Sequence, residues 1–124
     1  MIQNETLVKI TDNAGGTVGK VFKILGSSKK RYATLGEKVI ISVKIASPRK
    51  AVKKKDVLIG IVVRQKKPFR RKDGSYIRFD ENSVVCVTIG KTVEPTANRV
   101  FGPIPREIGE LGYQTIVSLA PEII

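Results

Sequence analysis

Lys38-Val39-Ile40-Ile41-Ser42-Val43-Lys44-Ile45-Ala46 is the stretch on which the fold turns. Val39, Ile41, Val43 and Ile45 recur at every second position, with Lys38, Ser42 and Lys44 between them beside Ile40. Side chains of a β-strand alternate between faces, so this pattern predicts a strand with one face in a core and the other near water. Downstream, Val57–Val63 is apolar on both faces and rich in β-branched residues, as expected of a strand buried on both sides. Leu7–Ile10, Lys20–Leu25 and Val84–Ile89 are further strand candidates, and Gly15-Gly16, Gly26-Ser27-Ser28, Gly36 and Gly90 punctuate them as turns. Short strands spaced this way predict a mainly β fold, a small closed barrel without exposed strand edges.

Two segments depart from that rhythm. Asp73-Gly74 is a hairpin signal, because Gly accepts positive φ freely and Asp tolerates it. If these two residues form the loop, Arg71 faces Tyr76, Arg70 faces Ile77 and Phe69 faces Arg78. The arms are too basic for a core, so residues of about 64–79 are expected to project from the barrel. Tyr76 and Phe79 are read as hairpin packing residues ahead of base-stacking platforms. Near the end, Ile104, Ile108 and Leu111 are spaced as a helical stripe, with Pro105 at the start and Gly112 at the stop. Gln114–Leu119 is a second short helix candidate before Pro121, giving a helical segment of about 104–120.

Composition narrows the function. The 124 residues include 23 Lys and Arg against 11 Asp and Glu, a net charge of +12, with no His and one Cys. The length suits one domain, 1–124, with a core of its own. A lone Cys makes neither an internal disulfide nor a multi-Cys zinc site, and the absence of His removes the commonest metal ligand and general base. Cys86 sits in the apolar run Val84-Val85-Cys86-Val87, where an inert thiol is expected. Asp80 and Glu81 are neighbours that would point to opposite faces of a strand, and Gly15-Gly16-Thr17 lacks the spacing of a phosphate loop. The sequence therefore predicts no catalytic residues, no metal and no cofactor. The opening Met-Ile-Gln-Asn-Glu has no signal-peptide or transit-peptide character, and no apolar run approaches the ~20 residues of a membrane span.

The charge is local. Residues 49–78 hold 12 Lys and Arg against two acids, whereas residues 94–124 hold two Arg against four Glu. The basic residues form three clusters: Lys29, Lys30 and Arg31 followed by Tyr32; Arg49, Lys50, Lys53, Lys54 and Lys55 in a loop between strands; and Arg64, Lys66, Lys67, Arg70, Arg71 and Lys72 on the first arm of the hairpin. One such cluster is equally well a solvated surface. Three of them, at this net charge, point to nucleic acid. There is no recognition-helix, zipper or zinc-finger pattern, so irregular RNA suits the Arg-rich ribbon better than duplex DNA. A free single-strand RNA binder would need an aromatic platform on a barrel face, and the seven aromatic residues form none.

Gly60-Ile61-Val62-Val63, nine residues, Asp73-Gly74, four residues, Phe79, two residues, Asn82, two residues and Val85 together resemble the signature of the universal large-subunit ribosomal protein fourteen family. The resemblance runs along the whole chain. Asp12-Asn13-Ala14-Gly15, Lys30-Arg31-Tyr32-Ala33, Pro48-Arg49, Val52-Lys53-Lys54, Asp56-Val57, Ile77-Arg78-Phe79-Asp80, Arg99-Val100-Phe101-Gly102-Pro103 and Ser118-Leu119-Ala120-Pro121-Glu122 follow in family order.

The resemblance implies a five-stranded barrel with a protruding ribbon and short C-terminal helices. It also implies a structural constituent of the large ribosomal subunit that binds large-subunit rRNA, with Asn13 and Arg78 joining the three clusters as contacts. The loop Ala46, Ser47, Pro48 and Arg49 is implied in bridges to small-subunit rRNA. A protein-facing surface at Asn98, Arg99, Glu107 and Glu110 is implied or expected to meet neighbours, among which the family has large-subunit proteins three and nineteen and a ribosomal silencing factor. Bacterial members usually carry Gly at positions 50 and 55 and Thr at 98, where this chain has Lys50, Lys55 and Asn98. Fifteen Lys against eight Arg, with fifteen Ile, favours A+T-rich coding. The expected location is a ribosome of the mitochondrial matrix, with the bacterial cytoplasm as the alternative.

Overall fold

A computed structural model describes residues 2–13, 15–26, 31–48, 52–89 and 93–124. β1 at Leu7–Ile10, β3 at Lys38–Ala46 and β4 at Val57–Arg64 lie close to where the sequence puts them, whereas β2 runs over Gly16–Ile24 and begins well before the expected Lys20. The short β5 at Phe69–Arg70 and β6 at Tyr76–Ile77 come next, then β7 at Ser83–Ile89 and β8 at Val93–Pro95. Gly16 is the first residue of β2 rather than part of a turn.

The main sheet runs β1-β2-β3-β4-β7-β8, and β1 also pairs with β7. That second pairing closes a five-stranded barrel and leaves β8 as an appended strand. It is parallel, with Lys9 opposite Ser83 and Ile10 opposite Val84, whereas the other barrel pairs are antiparallel. Val39, Ile41 and Val43 of β3 meet Val8, Ile10, Val21, Val62, Val84 and Cys86 in the barrel interior.

β4 and β7 are apolar on both faces because two cores share them. Val62, Val84 and Cys86 point inward, while Ile61, Val63, Val85 and Val87 pack outward against Val100, Ile104, Ile108 and Ile116. The outer cover is the C-terminal segment: β9 at Pro103–Ile104, α1 at Glu107–Glu110, α2 at Gln114–Leu119, and β10 at Glu122–Ile123 parallel to β9. Gly112 and Tyr113 donate their N–H groups to the carbonyls of Gly109 and Ile108, the paired bonds that end a helix on a left-handed residue. Of the expected stripe, Ile104 and Ile108 are fully buried, but Leu111 is 57% exposed. α1 has ended by then, so the helical spacing no longer holds Leu111 on the buried face.

Asp12 and Cys86 meet where the barrel closes. The Asp12 Oδ2 accepts the Cys86 backbone N–H at 2.9 Å, with Asp12 almost fully buried. Burial pushes the Cys86 thiol far above its ordinary range, and the nearby Asp12 carboxylate adds to the shift. The folded chain therefore keeps a thiol proton that the unfolded chain releases above about pH 8.5. The stability this group contributes is complete below that pH and is lost as the pH rises beyond it, by up to about 1.4 kcal/mol per pH unit. Urea unfolding between pH 8 and 10 is expected to show a steeper loss for the natural chain than for Cys86→Ala. A thiol reagent is expected to modify Cys86 only as fast as the chain unfolds.

Candidate nucleic-acid interface

The basic clusters are assembled by the barrel's ends. β2 and β3 pair with Ile24 opposite Val39 at one end and Gly16 opposite Ala46 at the other. The segment after β2, which carries Arg31 and Tyr32, thus shares an end with the segment after β4, which carries Lys66, Lys67 and the hairpin. The loop between β3 and β4, with Ser47, Pro48 and Lys53–Lys55, lies at the opposite end. Lys29, Lys30, Arg49 and Lys50 fall outside the described residues, so the described basic surface consists of the remaining members.

At the loop end, Lys53, Lys54 and Lys55 are exposed. Asp56 Oδ2 accepts the Lys53 N–H at 2.9 Å, and the Lys55 N–H donates to the Val43 carbonyl at 2.8 Å. These bonds fix the three lysines on a tight turn against β3. Lys55 has φ of 75°, a left-handed conformation that an L side chain disfavours. Ala46 closes β3, and the Ser47 N–H donates to the Gly15 carbonyl at 2.7 Å, leaving Ser47 and Pro48 exposed. Asn13 and Asn98 come together here: Asn13 Nδ2 donates to Asn98 Oδ1 at 2.7 Å, and the Asn13 N–H donates to the Arg99 carbonyl at 3.2 Å. The exposed Arg99 guanidinium lies 5.7 Å from the centre of the Phe101 ring. The residue expected to touch RNA and those expected to touch protein thus form one local structure.

At the hairpin end, Phe69 faces Ile77 and Arg70 faces Tyr76, one residue out of the register a two-residue loop would give. The loop has three residues, Lys72-Asp73-Gly74, closed by Arg71 N–H to Ser75 carbonyl at 2.8 Å and Gly74 N–H to Arg71 carbonyl at 3.0 Å. Gly74 takes the left-handed position with φ of 90°, the usual sequel to a tight turn in a three-residue loop. Asp73 Oδ1 accepts both the Ser75 hydroxyl at 2.6 Å and its N–H at 3.0 Å, and these bonds hold its carboxyl below the ordinary carboxylate range. Phe79 is buried, as a packing residue should be, whereas Tyr76 is 66% exposed and packs little.

The register decides which cations face water. Arg70, Lys72 and Arg78 are exposed, as are Arg31, Lys66 and Lys67. Arg71 is not available in the same way. Its Nε lies 2.8 Å from Glu107 Oε1, both side chains are about 15% exposed or less, and Nη2 also donates to the Ile124 carbonyl. Arg106 approaches Asp73 at 3.8 Å, so the hairpin is braced against the C-terminal segment twice. Glu107 is correspondingly spent inside the chain, leaving Glu110 as the exposed member of the pair expected to face a protein.

Arg64 is likewise not a surface cation. It is 6% exposed, with its guanidinium 3.4 Å from Glu81, which also reaches Lys9 at 3.5 Å. Burial lowers its pKa from the ordinary value, and Glu81 opposes that shift. The guanidinium occupies the space beside Gly102 where any side chain would sit, which ties the Phe101-Gly102-Pro103 turn to β4. Arg64 and Arg71 stand in basic runs, so their sequence surroundings group them with the surface cations; their acidic partners are remote along the chain.

Two positioning residues carry no charge, and the charge pattern does not single them out. Gln65 is buried and donates its Nε2 to the Lys67 carbonyl at 2.9 Å. Asn82 Oδ1 accepts the Lys66 N–H at 3.0 Å. A lone amide inside a basic run, as at Gln65, is the sequence signal that marks such a residue.

These contacts separate structural from surface cations. Arg71→Ala leaves Glu107 nearly buried without its partner and is expected to cost about 3 kcal/mol in urea unfolding. Arg70→Ala, one residue away on an exposed face, is expected to cost less than about 0.5 kcal/mol. Equal effects would contradict the assignment. Lys55→Gly is expected to stabilise the chain by about 1 kcal/mol by relieving the left-handed backbone, while Lys54→Gly, at a position without positive φ, is expected to destabilise it.

A barrel of this topology, with a hairpin and a short helical cover, agrees with what the sequence motifs imply. The sequence model of the family described as Ribosomal protein L14p/L23e matches residues 1–124. The chain belongs to the Ribosomal protein L14p/L23e family and is a structural ribosomal protein of the large subunit.

Proposed function

We propose that the chain acts without catalysis, as one domain spanning residues 1–124 that binds large-subunit rRNA directly and helps to join the subunits. The observation that carries this reading is the distribution of its exposed cations. Arg31, Lys66, Lys67, Arg70, Lys72 and Arg78 gather at one end of the barrel, and Lys53, Lys54 and Lys55 at the other, on backbone held by hydrogen bonds and partly buried ion pairs. With the backbone already held, only side-chain freedom is lost on meeting phosphates, and Arg meets them with two parallel bonds. Lys29, Lys30, Arg49 and Lys50 join them by sequence position, and Asn13 by family motif.

The exposed Ser47 and Pro48, with Ala46 and Arg49, are assigned to a bridge with small-subunit rRNA. Asn98, Arg99 and Glu110 are assigned to protein contacts: large-subunit proteins three and nineteen, and a silencing factor that blocks subunit joining. The Lys-rich, Ile-rich composition, which favours A+T-rich coding, supports a ribosome of the mitochondrial matrix, with the bacterial cytoplasm as the alternative.

Sedimentation of subunits through sucrose at rising salt tests the core of this reading. The natural chain is expected to stay with the large subunit, and replacing Arg70, Lys72 and Arg78 by Ala is expected to release it at lower salt. Each lost phosphate contact removes about one from the slope of log affinity against log salt. Retention that is unchanged at every salt concentration would exclude the hairpin from the RNA contact.

A further inference from the structure

We propose that a concavity beside the base of the hairpin receives one unpaired RNA nucleotide, its base on the Tyr32 ring and its phosphate on Lys66. This rests on the RNA-binding reading and adds to it a defined site and ligand. The cavity measures about 550 Å³ and is lined by Gln3, Tyr32, Lys66, Lys67 and Asn82. That volume lies within the range of small-ligand sites. Among the described residues, its lining supplies one aromatic ring, two basic side chains and two carboxamides, and no carboxylate.

The lining is held in place before any ligand arrives. Ile2 and Ala33 exchange backbone hydrogen bonds at 2.9 and 2.7 Å, which sets Gln3 and Tyr32 at the mouth of the cavity. On the other side, Gln65 holds the Lys67 carbonyl and Asn82 holds the Lys66 N–H, so the backbone carrying both lysines is fixed by two amide side chains. Asn82 is itself anchored, its carbonyl accepting the Lys9 N–H at 3.0 Å.

The chemistry selects the occupant. Asn82 Oδ1 accepts a backbone N–H and must therefore be the oxygen, which leaves its Nδ2 hydrogens to donate. A donor beside an ammonium suits a phosphate oxygen or a base acceptor. Tyr32 is 45% exposed, whereas Phe79 is buried in the core, so the Tyr32 ring is left as surface at this spot. An aromatic face stacks any base that is free of its helix, and a paired base within a duplex presents no face to it. The gap between the two lysine-bearing residues and the ring is thus suited to a single extruded nucleotide, and not to a continuous helix.

The test uses large subunits carrying the natural chain, Tyr32→Phe, Tyr32→Leu or Tyr32→Ala. Ultraviolet cross-linking of natural subunits is expected to join Tyr32 to an RNA base. Chemical probing is expected to find one unpaired nucleotide protected in natural and Tyr32→Phe subunits. Its reactivity is expected to rise about fivefold or more with Leu or Ala, as for the loss of one stacked base. Leu keeps the bulk of the side chain and lacks the π face, so it separates stacking from a general loosening of the loop. A chain that is present in the subunit but leaves every nucleotide equally reactive in all four forms overturns this proposal alone, as does a Tyr32 cross-link to protein. A chain absent from the subunit overturns the RNA-binding reading and this site with it.

Discussion

The parallel pairing of β1 with β7 turns a sheet into a barrel, and the placement of both cores and of the charged ends depends on it. Lys9 and Thr11 donate their N–H groups to the carbonyls of Asn82 and Val84, both at 3.0 Å, and the Asp12 carboxylate takes the Cys86 N–H further along. The seam therefore combines ladder bonds with a charge-assisted bond in a buried setting, where unmade bonds are costly. Closure leaves no long open edge on the five main strands, and it also aligns the connections at two ends. The cations are collected there, so the shape of the charged surface is a product of how the barrel closes.

Two ion pairs divide the basic residues into those that build and those that face outward. Arg64 with Glu81, and Arg71 with Glu107, sit where hairpin and C-terminal segment meet the barrel. Each joins an Arg from the basic stretch to an acid outside its own run. The concentrated positive charge of residues 49–78 is thus partly neutralised within the fold, and the mildly acidic C-terminal stretch supplies one of the partners. The remaining exposed cations are presented by a braced backbone.

The barrel was legible in the sequence because period-two alternation is a local signal: Val39, Ile41 and Val43 report their burial through their own spacing. The double-sided burial expected of Val57–Val63 holds for Gly60–Val63, whereas Val57 is 61% exposed, because the C-terminal cover reaches only the second half of the strand. The hairpin was visible in Asp73-Gly74, yet its register was not, because Asp-Gly fits both a two-residue loop and the last two positions of a three-residue one. Arg64 and Arg71 could not be separated from their neighbours by sequence, since burial beside Glu81 and Glu107 depends on tertiary contacts; Arg71 and Glu107 are 36 positions apart. Leu111 keeps a helical spacing in a helix that ends one residue too soon.

β4 connects the two ends of the molecule. It has eight residues, which at the rise of an extended chain makes it roughly 26 Å long. Its flanks carry the Lys53–Lys55 turn at one end and Lys66, Lys67 and the hairpin at the other. Because its second half, from Gly60 to Arg64, is buried on both faces, that part resists bending more than a strand with one free face. The barrel is then a strut of set length that keeps its two basic ends a fixed distance apart.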